Sequence, residues 1–242
     1  MHTEMMRYFA DGLDMCSHLY VKTDGQERRP GVLVFPEAFG LGEHAKSRAE
    51  RLANLGYAAL ACDIHGGGTV YDDLGTVMGI IGELRTNPGN IRARAHAALA
   101  ALSERPEVDS SRIAAIGYCF GGTMALELAR SGAGIVGSVG FHSGLSTVRP
   151  QDASDIKGKV LVCIGADDPS IDIEQREEFE KEMRHGGVDW QMNVYGGVVH
   201  SFTNPLADRL NQPDFARYDA KADGRAWDEL RFFLGEVFQV EL

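Results

Sequence analysis

The stretch from Arg112 to Met124 constrains this chain more than any other. Ile113 to Ile116 is a short apolar run suited to a buried strand, Gly117 and the pair Gly121-Gly122 bracket Cys119, and a helix-favouring segment, Met124 to Arg130, follows at once. Strand, tight turn and helix must follow within a few residues. In the G-x-S-x-G elbow the flanking glycines keep Cβ atoms out of the turn, so the central side chain stands exposed above the sheet edge on strained backbone. Cysteine holds that central place here. At a helix N-terminus the unpaired N–H groups and the macrodipole favour a thiolate, the nucleophilic form. The other reading of Gly-x-Cys-x-Gly is a structural turn with a buried thiol, so partners elsewhere in the chain must decide.

The rest of the chain alternates strand and helix signals. Residues 5 to 22 read as two short strands joined at Asp11-Gly12, and Asp24-Gly25 turns the chain again. Gly31 to Pro36 is a continuous apolar run of the kind buried on both sheet faces; a helix with Ala45, Ala49, Leu52 and Ala53 on one side follows, closed by Gly56. Tyr57 to Ile64 returns as a strand, and the βαβ alternation points to a parallel sheet with right-handed crossovers. The glycine-rich run after His65 has neither the G-x-G-x-x-G nor the P-loop pattern and reads as a loop at a strand's carboxyl end. Residues 73–85 form a short covering helix and 90–104 a firmer one. Strands at 135–141, 159–165 and 188–195 and helices at 173–184 and 218–237 complete the pattern, with no linker or repeat. One domain, 1–242, accounts for the whole sequence.

A net charge of −11 argues against nucleic acid or anionic membrane as a partner. Cys16, Cys62, Cys119 and Cys163 lack the spacings of a zinc site, and Cys62 and Cys163 sit in apolar runs as core residues. No signal-peptide core opens the sequence and no apolar stretch reaches a membrane span, so the expected location is cytoplasmic.

A thiol near its ordinary pKa of about 8.5 is only partly ionised at neutral pH, so catalysis requires a base and a group to orient that base. Past the strand ending at Gly165 comes Ala-Asp167-Asp168-Pro, and past the last strand comes Gly-Gly-Val-Val-His200. Nucleophile, acid, histidine is the chain order of α/β-hydrolases, with each member at the carboxyl end of a strand. Either aspartate would serve on this evidence.

These residues resemble the dienelactone hydrolase family, whose members carry G-x-C-x-G-G, G-x-x-D, H-S-F and an E-x-F-G segment after an early strand. The matching segments here are Gly117-Tyr118-Cys119-Phe120-Gly121-Gly122, Gly165-Ala-Asp-Asp168, His200-Ser201-Phe202 and Glu37-Ala38-Phe39-Gly40. The resemblance spans nearly the whole chain. It implies an α/β-hydrolase fold, a mostly parallel central sheet flanked by helices in a three-layer sandwich. It also selects Asp168 as the acid and gives Glu37 a part in catalysis, interacting with the resting thiol and disfavouring its ionisation by charge repulsion until substrate arrives. The oxyanion hole is then expected from the backbone N–H groups of Phe120 and Ala38. Phe39, Tyr118, His142 and Arg85 are the candidates for the substrate pocket.

The family's dienelactone-cleaving members hold the substrate carboxylate with arginines, one shortly after H-S-F. Here Thr203-Asn204-Pro205 follows, with no arginine before Arg209, so a neutral ester or lactone is expected as substrate. The expected protein is a Cys–His–Asp hydrolase of small esters or lactones working through a thioester, with no metal or organic cofactor, as a monomer or homodimer. Activated aryl esters and phosphotriesters are expected side substrates, because a hole for a tetrahedral oxyanion also receives a phosphoryl oxygen. The rival is a thiol redox sensor or ligand-binding module, which needs neither Asp168 nor His200.

Overall fold

The computed structural model describes residues 1–23, 25 and 28–240. Asp24, at the expected second turn, lies outside them. Two strands, β1 (His2–Ala10) and β2 (Leu13–Val21), form a hairpin through Asp11 and Gly12. Both turn residues have positive φ, as a two-residue connection between twisted strands requires. The other strands are β3 (Arg29–Phe35), β4 (Ala58–Ala61), β5 (Val108–Tyr118), β6 (Gly137–Phe141), β7 (Lys159–Gly165) and β8 (Trp190–Tyr195). They make one eight-stranded sheet in the order β1-β2-β4-β3-β5-β6-β7-β8. Only the pairings of β2 with β1 and β4 are antiparallel.

The helices are α1 (Glu43–Asn54), α2 (Leu74–Thr86), α3 (Pro88–Ser103), α4 (Phe120–Arg130), α5 (Ile173–His185) and α6 (Ala220–Phe238). Successive strand residues point to opposite faces, and β3 shows the result. Leu33 and Phe35 join a core with Ala95 and Leu102 of α3 and Met124 and Leu128 of α4. Val32 and Val34 pack with Ala49 and Leu52 of α1 and Leu230 and Leu234 of α6. On the α4 side of the sheet, Leu126 of α4 and Phe179 and Met183 of α5 cover Val160, Val162 and Ile164 of β7. The three-layer α/β sandwich implied by the family resemblance is therefore present. No helix among the described residues is long and apolar enough to cross a membrane.

The path of the chain reverses at β3: β4 lies on one side of it and β5 on the other. Loops leaving the carboxyl ends of β3 and β5 therefore diverge and open a crevice, the usual ligand position in an open α/β sheet.

Most boundaries differ from the sequence reading by one to three residues, and two differ by more. Strand β5 begins at Val108, because Val108 and Asp109 pair with Arg29 and Pro30 before a register shift between Pro30 and Gly31. Helix α4 begins at Phe120, since Gly121 and Gly122, which read as turn residues, are its first turn. Short 3-10 turns at Pro150–Asp155 and Ala207–Leu210 carry no periodic apolar signal and were not expected.

Charges are also buried in this frame. Arg130 of α4, with 0% exposure, donates to both carboxylate oxygens of Glu182 on α5 at 2.7 and 2.8 Å and to Glu127 at 3.1 Å. Removing one partner strands a buried charge, which is far costlier than the net worth of the pair. Glu182→Ala is therefore expected to lower unfolding free energy by about 3 kcal/mol, read from urea denaturation midpoints.

Candidate active site

The turn between β5 and α4 is built by close approach. A Cβ on Gly117 would lie 2.0 Å from the Gly121 carbonyl oxygen, and one on Gly121 would lie 2.3 and 2.4 Å from the Pro36 and Phe35 carbonyls. Only glycine lets α4 begin against the ends of β3 and β5. Between them Cys119 takes φ 53° and ψ −121°, a conformation that costs a side-chain-bearing residue about 1–3 kcal/mol. Its N–H donates to the Phe141 carbonyl at 2.9 Å, and its own carbonyl accepts from Gly122 N–H at 3.1 Å, so the end of β6 and the first turn of the helix hold the strain.

Over this turn stands His200, in the loop after β8. Its Nε2 lies 3.2 Å from Cys119 Sγ and its Nδ1 lies 2.7 Å from Asp168 Oδ2. Asp168 follows β7, is 3% exposed, and accepts at Oδ1 from the Ser170 hydroxyl at 2.6 Å and the Ser170 N–H at 2.9 Å. Asp167 takes no part in this chain of bonds: its N–H donates to the Val198 carbonyl and helps close the turn. Burial by itself would push the His200 imidazole down. Cys119 and then Asp168, both facing the ring, outweigh it and raise it from 6.5 to about 10. The site thus favours an imidazolium between two acidic groups.

Ala38 and Phe120 both line the cavity beside Cys119. Neither of their N–H groups has a hydrogen-bond partner among the described residues, which leaves both available to an oxyanion. The Ala38 loop is fixed from behind. His65 Nε2 lies 2.8 Å from the Ala38 carbonyl, and Asp63 accepts from the N–H groups of Cys16, His65, Gly66 and Gly68 to shape the glycine-rich loop carrying that histidine.

Glu37 departs from expectation. It makes no hydrogen bond to Cys119; Ser201 Oγ donates to its Oε1 at 3.0 Å and Asn204 Nδ2 donates to its Oε2. Burial pushes the Glu37 carboxyl up, while these two donors hold it back.

The cavity over Cys119 has a volume of about 310 Å³, enough for a small ester. Of the four expected pocket residues only Arg85 lines it, with its guanidinium against Gly144 and no ion-pair partner among the described residues. Tyr118 is a correction: strand alternation turns its ring to the opposite face, where it stacks on Phe141 with centroids 4.9 Å apart. His142 is another; it is 0% exposed, bonded to Thr203 Oγ1 at 2.8 Å, and lies behind His200. Phe39 likewise falls outside the lining and packs into the core beneath, its carbonyl accepting from Tyr71 N–H.

Residues that the sequence reading missed supply the walls. Met78 and Ile81 come from α2, Thr123 from α4, and Phe215 from the segment after the second 3-10 turn, its ring stacked on His200 at 5.4 Å. The one signal for Phe215 was an aromatic residue isolated in a polar loop.

A sheet in this order, with a strained cysteine after β5 and an acid and a histidine after β7 and β8, defines an α/β-hydrolase fold. Within that class the chain belongs to the dienelactone hydrolase family, whose sequence profile matches residues 18–238. It is 44% identical to a solved protein called m3DLH, with a TM-score of 0.94 over 98% of each chain. A dienelactone hydrolase-like promiscuous phosphotriesterase from metagenomic libraries is 42% identical, with a TM-score of 0.92 over 98% of each chain. A Bradyrhizobium protein named "Probable 2-oxo-3-(5-oxofuran-2-ylidene)propanoate lactonase" is 31% identical over 191 residues, 75% of this chain and 76% of that one. The chain is accordingly a hydrolase acting on esters or lactones.

The electrostatics carry a pH prediction. Cys119 contributes the largest upward push on His200, so Cys119→Ala removes that contribution while burial remains, and the imidazolium loses stabilisation. Nitrogen-15 NMR of the His200 ring is expected to show protonation persisting through neutral pH in the wild type and a midpoint moved to lower pH in Cys119→Ala.

Proposed function

We propose that this chain hydrolyses small esters and lactones by covalent catalysis at Cys119. The observation that carries this reading is the continuous contact from Sγ through the His200 ring to Asp168, at 3.2 and 2.7 Å. The proton that the sulfur gives up rests on His200, and the thiolate attacks the substrate carbonyl, forming the C–S bond. The tetrahedral oxyanion is received by the N–H groups of Phe120 and Ala38. Its collapse breaks the ester C–O bond, and His200 returns its proton to the leaving alkoxide. A water then gives a proton to His200, attacks the thioester and releases the acid, leaving the sulfur and the protonated ring as they began. Asp168, held by Ser170, keeps Nδ1 protonated and Nε2 facing the sulfur throughout.

Arg85 gives the pocket one unpaired cation, which favours substrates with a carboxylate or other polar group distal to the scissile bond. This modifies the expectation of a wholly neutral substrate. The 42% identical phosphotriesterase relative supports side activity on phosphotriesters, where the same two N–H groups would receive the phosphoryl oxygen.

Cys119→Ala and His200→Ala are each expected to lower turnover of p-nitrophenyl acetate by about 10³-fold or more, and rapid-quench mass spectrometry of the wild type is expected to find an acyl adduct on Cys119. Turnover surviving in Cys119→Ala would sink the reading. Arg85→Ala is expected to raise KM about tenfold for a carboxylate-bearing lactone while leaving KM for the neutral aryl ester unchanged, the signature of one lost charged contact.

A further inference from the structure

Glu37 lies two residues past the end of β3 and one before Ala38, which lines the cavity, and its carboxylate reaches the loop that carries His200. Both oxygens are taken there, by the Ser201 hydroxyl at 3.0 Å and the Asn204 amide. The donors are set up for this contact. Ser201 sits at φ 53°, strained backbone for a non-glycine residue, directly after His200. The orientation of the Asn204 amide is fixed by its other end, because Oδ1 accepts from Leu206 N–H at 2.9 Å and Nδ2 is thereby committed to Glu37. Ser201 and Asn204 are 7% and 9% exposed, so water offers little substitute for either bond.

We propose that Glu37, Ser201 and Asn204 form a clasp that locks the oxyanion-hole loop to the histidine loop, and that Asn204 and Ser201 are positioning residues for the reaction at Cys119. The inference rests on the Cys119–His200–Asp168 reading and assigns Glu37 a task other than contact with the thiol. Two groups that must act on one ester group, the Ala38 N–H on its carbonyl oxygen and the His200 ring on its leaving oxygen, sit on loops after strands β3 and β8, which are not neighbours in the sheet. The clasp joins those loops directly. Other charged or titratable groups facing Glu37 are few. His44 Nδ1 of α1 is 3.9 Å away, with its imidazole pushed down to about 3 by burial and Arg48, so it stays neutral. Arg48 of α1 and His200 itself act at longer range, and Arg48 is engaged by Asp223 at 2.7 Å.

Because the Asn204 amide can turn only its N–H face to residue 37, the clasp has a polarity that can be broken and then reversed. Asn204→Asp sets two carboxylates against each other. In the double variant Glu37→Gln/Asn204→Asp the new glutamine amide donates to the new carboxylate, while its oxygen accepts from Ser201. With p-nitrophenyl acetate, Asn204→Asp is expected to lower kcat by about tenfold or more through misplacement of the loops, and the double variant to recover most of the loss. Iodoacetamide alkylation of Cys119 as a function of pH, with Cys119→Ala as the blank, is expected to give overlapping midpoints for wild type and Glu37→Gln.

A double variant no better than Asn204→Asp, or an Asn204→Asp protein with wild-type kcat, would overturn the clasp. So would an alkylation midpoint displaced by about one pH unit in Glu37→Gln, which would mean that Glu37 acts on the sulfur. If Asn204→Asp does not fold, recovery of a folded, active double variant still supports the proposal, and failure of both proteins to fold overturns it. Activity persisting in Cys119→Ala is a separate result, which removes the hydrolase reading and not the clasp.

Discussion

The close approach of three backbones at the end of β5 governs this structure. Gly117, Gly121 and Gly122 leave no room for a Cβ against one another, the ends of β3 and the Ser143 side chain. With the gap so narrow, Cys119 has to adopt its left-handed φ, and the sulfur is lifted over the sheet edge toward the cavity instead of into the core. A strained residue persists only where surrounding bonds over-determine it. Here the Phe141 carbonyl on one side and the first turn of α4 on the other do so.

The remaining site groups arrive on loops whose conformations are set by buried polar contacts rather than by periodic structure. Asp168 is locked by the Ser170 hydroxyl and N–H, Ala38 by the ring of His65, and the Asp63 carboxylate organises four backbone N–H groups beneath that ring. Such contacts leave few degrees of freedom to lose when substrate binds, which is how a preorganised site lowers a barrier. The Glu37 contacts to Ser201 and Asn204 fit the same pattern, joining the two sides of the crevice that the sheet reversal opens.

Specificity resides in a different set of residues from reactivity. Cys119, Asp168 and His200 sit on the turns that follow β5, β7 and β8, held by buried contacts, whereas the cavity wall is drawn from α2, the start of α4 and the segment bearing Phe215. Helix α2 and the loops tolerate change, so relatives with this sheet can differ in substrate while keeping the reacting groups in register. The relatives named as a lactonase and as a promiscuous phosphotriesterase illustrate that separation.

Much of this was legible in the sequence. Apolar runs such as Val32–Phe35 and Ile113–Ile116 declare strands buried on both faces, and Gly-x-Cys-x-Gly-Gly between a strand and a helix admits few backbone paths. The order of a cysteine, an acid at 167 or 168 and His200 past three strand ends followed from the same local signals, and the family resemblance selected Asp168. What lay outside reach was the direction of side chains and the company they keep. Tyr118 adjoins the cysteine in sequence yet points to the far face, because a strand alternates; His142 follows a strand end yet is sealed behind His200. Phe215, distant in sequence, stacks on His200. The chain by itself determined the alternation of strands and helices and the turn that presents Cys119, since periodicity and turn chemistry are local properties. Only the tertiary structure decided which walls surround the sulfur and what Glu37 touches, since those depend on loops packing against one another across more than a hundred intervening residues.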